Sequence, residues 1–114
     1  MPELNLEMER AANGAMILHL EGFLDAHTFE ELDEAINGLF DEGVYRIVVD
    51  LSELDYISSA GAGVFIGALA EAQENGGKLV LASLGSNVRE VFDLLGLTQI
   101  FTIVDSVDAA IAAF

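Results

Sequence analysis

The chain of 114 residues contains no cysteine. That excludes disulfides, thiol catalysis and thiolate metal sites together. Positive charge is nearly as scarce: Arg10, Arg46, Lys78 and Arg89 stand against 20 acidic residues, for a formal net charge of −16 with histidine neutral. Such a surface repels phosphate backbones and anionic headgroups, so neither a nucleic acid nor a membrane surface is an expected partner. A charged partner is expected to be basic at the contact. A salt-adapted host accounts for the same acidity. Long apolar runs are missing too. The longest, from Ala60 to Ala70, is about half the roughly 20 residues of a membrane span, so no membrane insertion is expected. The N-terminal MPELNLEMER has no cationic start followed by an apolar stretch, which makes the cytoplasm the expected compartment.

What is present is enough to build a core. With 53% hydrophobic residues and about one domain's length, the chain is expected to form one domain over residues 1–114. Leu4, Leu6 and Met8 alternate with polar neighbours, as do Met16, Leu18 and Leu20, which predicts two strands with one buried face each. Asn13-Gly14 between them suits a tight hairpin turn, since both residues tolerate positive φ. Thr28 followed by Glu31 has capping-box spacing. Phe29, Leu32, Ile36, Leu39 and Phe40 then share one face of a helix that Gly43 stops. The nearly continuous β-branched run over residues 45–50 predicts a central strand covered on both faces.

Residues 51–57 read as a loop leading to Ser58-Ser59 and a second helix that reaches about Glu74 and is broken by Asn75-Gly76-Gly77. Residues 78–82 predict a strand parallel to the one before, joined by a right-handed crossover. Ser86 is expected to cap a third helix, apolar at Val88, Val91, Phe92 and Leu95 and stopped by Gly96. A short strand over 99–104 and a final helix capped by Ser106 complete the chain. The expected fold class is α/β: an N-terminal antiparallel hairpin leading into a mostly parallel sheet, with about four helices.

Enzyme chemistry finds no recognisable constellation. His19 points away from Leu18 and Leu20 and reads as a surface strand residue, and His27 directly precedes the expected cap. Neither has a histidine or thiol partner at metal-ligand spacing, so no metal site is expected. No Gly-x-Ser-x-Gly elbow surrounds Ser59, which leaves a triad with His27 unsupported. Gly61, Gly63 and Gly67 miss the dinucleotide spacing, and no Gly-Lys-Ser/Thr exists to cradle phosphates, so no cofactor is expected. A receiver domain fails as well, because the first strand feeds a hairpin and the only lysine is Lys78.

What remains is the junction Ile57-Ser58-Ser59-Ala60-Gly61-Ala62-Gly63. Ser58 explains itself as a helix cap. Yet a helix N-terminus gathers free N–H donors and the positive end of the dipole, which together stabilise a phosphate. The small residues at 60–63 also leave the hydroxyl open to an approaching kinase. Asp25 stands just outside the first helix with no local backbone duty if Thr28 is the cap. It reads either as a turn-forming residue or as part of a site.

Taken in order, Gly22-Phe23-Leu24-Asp25, Val48-Val49-Asp50-Leu51-Ser52, the serine junction from Tyr56 to Gly63, Gly76-Gly77-Lys78-Leu79, Val88-Arg89-Glu90-Val91-Phe92 and Leu95-Gly96-Leu97 form a recognisable series. They resemble a STAS domain, the fold shared by anti-sigma-factor antagonists and the cytoplasmic tails of sulphate transporters. The resemblance spans essentially the whole chain, and without an attached transporter it is most similar to the antagonist branch. It implies a phosphorylation-controlled binding protein and no enzyme. The unphosphorylated form would sequester an anti-sigma factor that is also a serine kinase, and so release a sigma factor. The kinase would phosphorylate the serine matching Ser59, and a phosphatase would reset it. Many members carry aspartate just before the acceptor, where this sequence has Ser58, which makes Ser58 the alternative acceptor. The family's acidic residue after the hairpin matches Asp25. On the second helix, Gly63, Ile66, Gly67 and Ala70 fall opposite the expected core face and form a candidate partner patch. The alternative implied function is a constitutive STAS scaffold or subunit of a stress-signalling or lipid-transport complex, without reversible serine phosphorylation. The resemblance leaves the oligomeric state open.

Overall fold

Strand β1 (Leu4–Arg10) folds back on β2 (Met16–Leu24) in antiparallel register, Leu6 facing Leu20 and Met8 facing Leu18. The computed structural model describes residues 3–114; residues 1 and 2 of the expected domain lie outside them. The hairpin loop is longer than a two-residue turn. Ala11 N–H bonds Ala15 O and Gly14 N–H bonds Ala11 O. Gly14 alone takes positive φ (87°), and Asn13 contributes through its side chain, whose Oδ1 accepts the Ala15 N–H at 3.1 Å.

After β2 come α1 (Phe29–Asp41), β3 (Arg46–Ile57), α2 (Ser59–Glu74), β4 (Lys78–Ala82) and α3 (Ser86–Leu94). A 3-10 turn (Leu97–Gln99), β5 (Thr102–Val104) and α4 (Val107–Ala112) follow. The five strands lie in the order β1-β2-β3-β4-β5, and every pairing beyond the hairpin is parallel. Leu18, Leu20, Val49, Leu51, Leu79 and Leu81 face the main core, together with Leu32 and Ile36 of α1, Phe65 of α2 and Phe92 of α3. On the opposite face Ile17, Val48, Val80 and Ala82 pack with Ala110 of α4. The central strands are therefore covered on both sides, which is why residues 47–49 carry no polar alternation. Among the described residues, no helix is long and apolar enough to cross a membrane.

Four local expectations are corrected. Residues 51–57 are the second half of β3, not a loop. Two register shifts against β2, between His19 and Glu21 and between Gly22 and Phe23, put Leu51, Leu54 and Ile57 inside at a spacing of three. Bulges of this kind erase the period of two that marks a strand. Second, Thr28 and Glu31 form no capping box, because the Thr28 hydroxyl is engaged behind the helix instead. Third, Ser86 is the first helical residue of α3, with Gly85 at the cap position; Leu95 falls outside the helix and is exposed. Fourth, the strand expected over 99–104 is only three residues long. Leu97 O accepts both Ile100 and Phe101 N–H, a local turn that occupies the preceding residues. Ser58 and Ser106 do cap their helices, accepting the N–H of Gly61 and Ala109 at 3.3 and 3.1 Å.

Candidate functional site

Strands β2 and β3 run parallel and end side by side, Leu24 paired with Ile57. One residue further, the Ser58 N–H donates to Leu24 O at 2.9 Å. Asp25 and Ser59 are the next residues on each side of that bond, so two parallel carboxyl ends deliver them to the same rim of the sheet. Crevices at such rims are where open α/β sheets bind their ligands. Gly61 makes the close approach possible: a Cβ there would stand 2.6 Å from Leu24 Cγ and 2.9 Å from Leu24 O.

The two serines differ. Ser58 is half-buried, extended (φ −100°, ψ 171°), and its hydroxyl is committed to the Gly61 N–H. Ser59 is exposed and opens the helix. The N–H groups of Ser59 and Ala60 have no helical carbonyl to bond. α2 carries no acidic residue in its first turn, whereas α1 has Glu30 and Glu31 there. The positive end of the α2 dipole is thus uncompensated by its own sequence, the electrostatic condition that favours an anion.

Asp25 forms the turn that was one of its two expected roles. Its Oδ1 accepts the His27 N–H at 2.8 Å, and its carbonyl accepts the N–H of Thr28 and Phe29. Thr28, the buried polar residue of this turn, accepts the Asp25 N–H at 3.0 Å and donates to Phe23 O at 2.8 Å. That arrangement pins the turn while leaving the Asp25 side chain half-buried at the rim. Because an asparagine Oδ1 accepts the same N–H, Asp25→Asn is expected to preserve the melting temperature. Asp25→Ala, which removes the acceptor, is expected to lose about 1 kcal/mol in chemical denaturation. The pair separates charge from turn geometry.

The expected α2 patch is solvent-facing throughout: Gly63, Ile66, Gly67 and Ala70 are all exposed. It is divided in two. Gly63 and Gly67 line a groove of about 190 Å³ against α1, walled by Asp33, Asn37, Phe40 and Glu71, whereas Ile66 and Ala70 lie outside it. Neither glycine has an atom within 4 Å of where a Cβ would stand, so nothing inside the fold requires them.

The order of elements coincides with that of a known family. A family model described as STAS domain matches residues 7–110. The chain belongs to the STAS domain family. BtrV of Bordetella bronchiseptica, which is named as an anti-sigma factor antagonist, is 38% identical over 111 residues, covering 97% of this chain and 95% of its own. The anti-sigma F factor antagonist of Paenibacillus polymyxa is 33% identical over 107 residues, covering 90% and 88%. Among solved structures, the phosphorylated form of the Bacillus cell fate determinant SpoIIAA matches with a TM-score of 0.75 at 24% identity, over 96% of this chain and 98% of that one, a likeness of fold.

Beside the STAS serine junction stands a pair of aromatics that the sequence reading did not single out for the site. Phe23 and Tyr56 are paired across β2 and β3, their rings 5.9 Å apart, and Tyr56 is 46% exposed. Tyr56 lies in the second half of β3, where the two bulges break the alternation that would mark a strand in the sequence.

Proposed function

We propose that this STAS domain is an anti-sigma-factor antagonist, acting in the cytoplasm by binding an anti-sigma factor that is also a serine kinase, and switched by phosphorylation of Ser59. The observation that carries the reading is the division of labour at the α2 start. Ser58 spends its hydroxyl on the helix cap, while Ser59 presents an exposed hydroxyl over unpaired first-turn N–H groups and an uncompensated dipole. The names of the relatives from Bordetella and Paenibacillus support the antagonist role. The phosphorylated form described for SpoIIAA, a protein of the same fold, is in keeping with a switch by phosphorylation. Asp25, Ser58, Gly63, Ile66, Gly67 and Ala70 form the partner surface in this reading, and a phosphatase restores the binding form.

Phosphopeptide mass spectrometry on the protein from its own cells tests the switch. Phosphate on Ser59 is the expected result. Phosphate on Ser58 instead would move the acceptor, and phosphate on neither would favour the constitutive subunit of a stress-signalling or lipid-transport complex. The partner surface has its own test. Ile66 is 45% exposed on α2, so Ile66→Asp is expected to leave the far-UV circular dichroism and melting temperature unchanged. A buried apolar anchor replaced by a charge costs about tenfold or more in partner affinity, read by calorimetry. Unchanged affinity would take Ile66 off the surface.

A further inference from the structure

The sheet face that carries α4 is covered only in part. α4 packs at Ile17, Val48 and Val80, and the rest of that face, over β1, β2 and the adjoining part of β3, is an open concavity. At its floor His19 of β2 lies between two carboxylates from the neighbouring strands. Nδ1 is 2.7 Å from Asp50 Oδ2 of β3, and Nε2 is 2.9 Å from Glu9 Oε1 of β1. A carboxylate can only accept, and a neutral imidazole has a single N–H. Both contacts are hydrogen bonds only when the ring carries both protons.

The two carboxylates are held differently. Asp50 is 14% exposed, and its other oxygen accepts the Ser52 N–H at 3.1 Å, at the start of the bulged half of β3. Glu9 is 64% exposed and sits on the edge strand, whose outer side has no neighbour in the sheet. When the ring gives up one proton, Nδ1–H is retained by the anchored, less solvated Asp50. Nε2 then turns a lone pair toward Glu9, and that contact becomes repulsive.

We propose that His19 is a proton-operated staple of the edge strand: charged, it ties β1 to β3 through both ring N–H groups; neutral, it keeps Asp50, releases Glu9 and loosens β1. The surroundings favour the charged ring. Glu7, directly across the ladder, joins Glu9 from β1, Glu21 comes from β2 itself, and Asp50 and Glu53 come from β3. No lysine or arginine lines the concavity among the described residues, and the one charged residue of α4 is the exposed Asp108. Burial works against the charge at His19, but the bonds and charges of Glu9 and Asp50 outweigh it and raise the pKa above 6.5. Since the folded value is the higher one, the staple is complete below pH 6.5 and is lost as pH rises through the folded value.

Ring ¹⁵N NMR and amide hydrogen exchange on the whole protein test this. The expected results are a His19 midpoint above 6.5 and a neutral form protonated at Nδ1. Protection of β1 amides, corrected for the intrinsic pH dependence of exchange, should step down across the His19 midpoint while β4 amides do not. Glu9→Gln changes an exposed residue, lowers the midpoint and should abolish the step. The step should measure about tenfold for each pH unit separating the wild-type and Glu9→Gln midpoints. A neutral form protonated at Nε2, a β1 step absent in the wild type, or the same step in Glu9→Gln would each overturn the proposal.

Discussion

Phosphorylated at Ser59, the protein is expected to lose at least about a hundredfold in affinity for the proposed anti-sigma-factor kinase while keeping its fold. Phosphoserine adds roughly 1.5 to 2 negative charges and three acceptor oxygens. At the first residue of α2 those oxygens meet the first-turn N–H groups and a dipole that no acidic residue of that turn offsets. The domain itself therefore tolerates the group. A partner packed against an exposed neutral hydroxyl does not, because it must desolvate a dianion or withdraw. Asp25 on the same rim and the net charge of −16 add repulsion for any acidic part of the partner and supply nothing to neutralise the phosphate. A hundredfold loss corresponds to only about 2.7 kcal/mol, within the cost of leaving a buried charge unpaired. Calorimetry against the kinase, with and without phosphate, gives the affinity, and amide NMR gives the structural response. Shifts confined to α2 and the adjoining strand ends are the expected pattern. Shifts across the whole sheet, or retained affinity, would refute a local switch. Ser59→Ala is expected to bind permanently.

Alanine at four glycines is expected to move stability in opposite directions. At Gly77 a Cβ would lie 2.0 Å from Tyr45 O, the carbonyl that accepts the Lys78 N–H and starts the β3–β4 ladder. At Gly61 it would lie 2.9 Å from Leu24 O, the carbonyl that holds Ser58. Both contacts are with backbone, which cannot step aside without moving a strand, so each substitution should cost about 1–3 kcal/mol. For a domain of this size each kcal/mol lowers the melting temperature by about 4 °C or more. Gly61→Ala should also disturb the approach of Ser59 to Asp25. Gly63 and Gly67 sit in an ordinary helix with open space where a Cβ would go. There alanine recovers up to about 1 kcal/mol of helix propensity per site. If those glycines are kept so that a partner helix can reach the α1–α2 groove, the stabilised double variant should bind the kinase more weakly. A double variant that is both more stable and fully competent would assign the glycines no role in binding.

The pattern of side chains was sufficient for the order of elements and for the placing of Ser58 and Ser59 at the start of α2. Each depends on interactions between residues close in sequence: the alternation of Met16, Leu18 and Leu20, the apolar face of α1, the Ser58 cap and the small residues after it. Other features depend on partners far along the chain and left no local mark. The second half of β3 is a strand because β2 pairs with it, and its two bulges convert alternation into a spacing of three that sequence periodicity does not recognise. Asn13 works by side-chain bonding because the hairpin loop opens to meet Arg46 and Ile111, whose contacts reach it from 33 and 98 residues away. His19 looks like any polar strand residue until the sheet sets Glu9 on one side of it and Asp50 on the other, 10 and 31 residues distant. Hydrogen-bond partners brought together by strand pairing carry no sequence spacing of their own, so only the assembled sheet could place them.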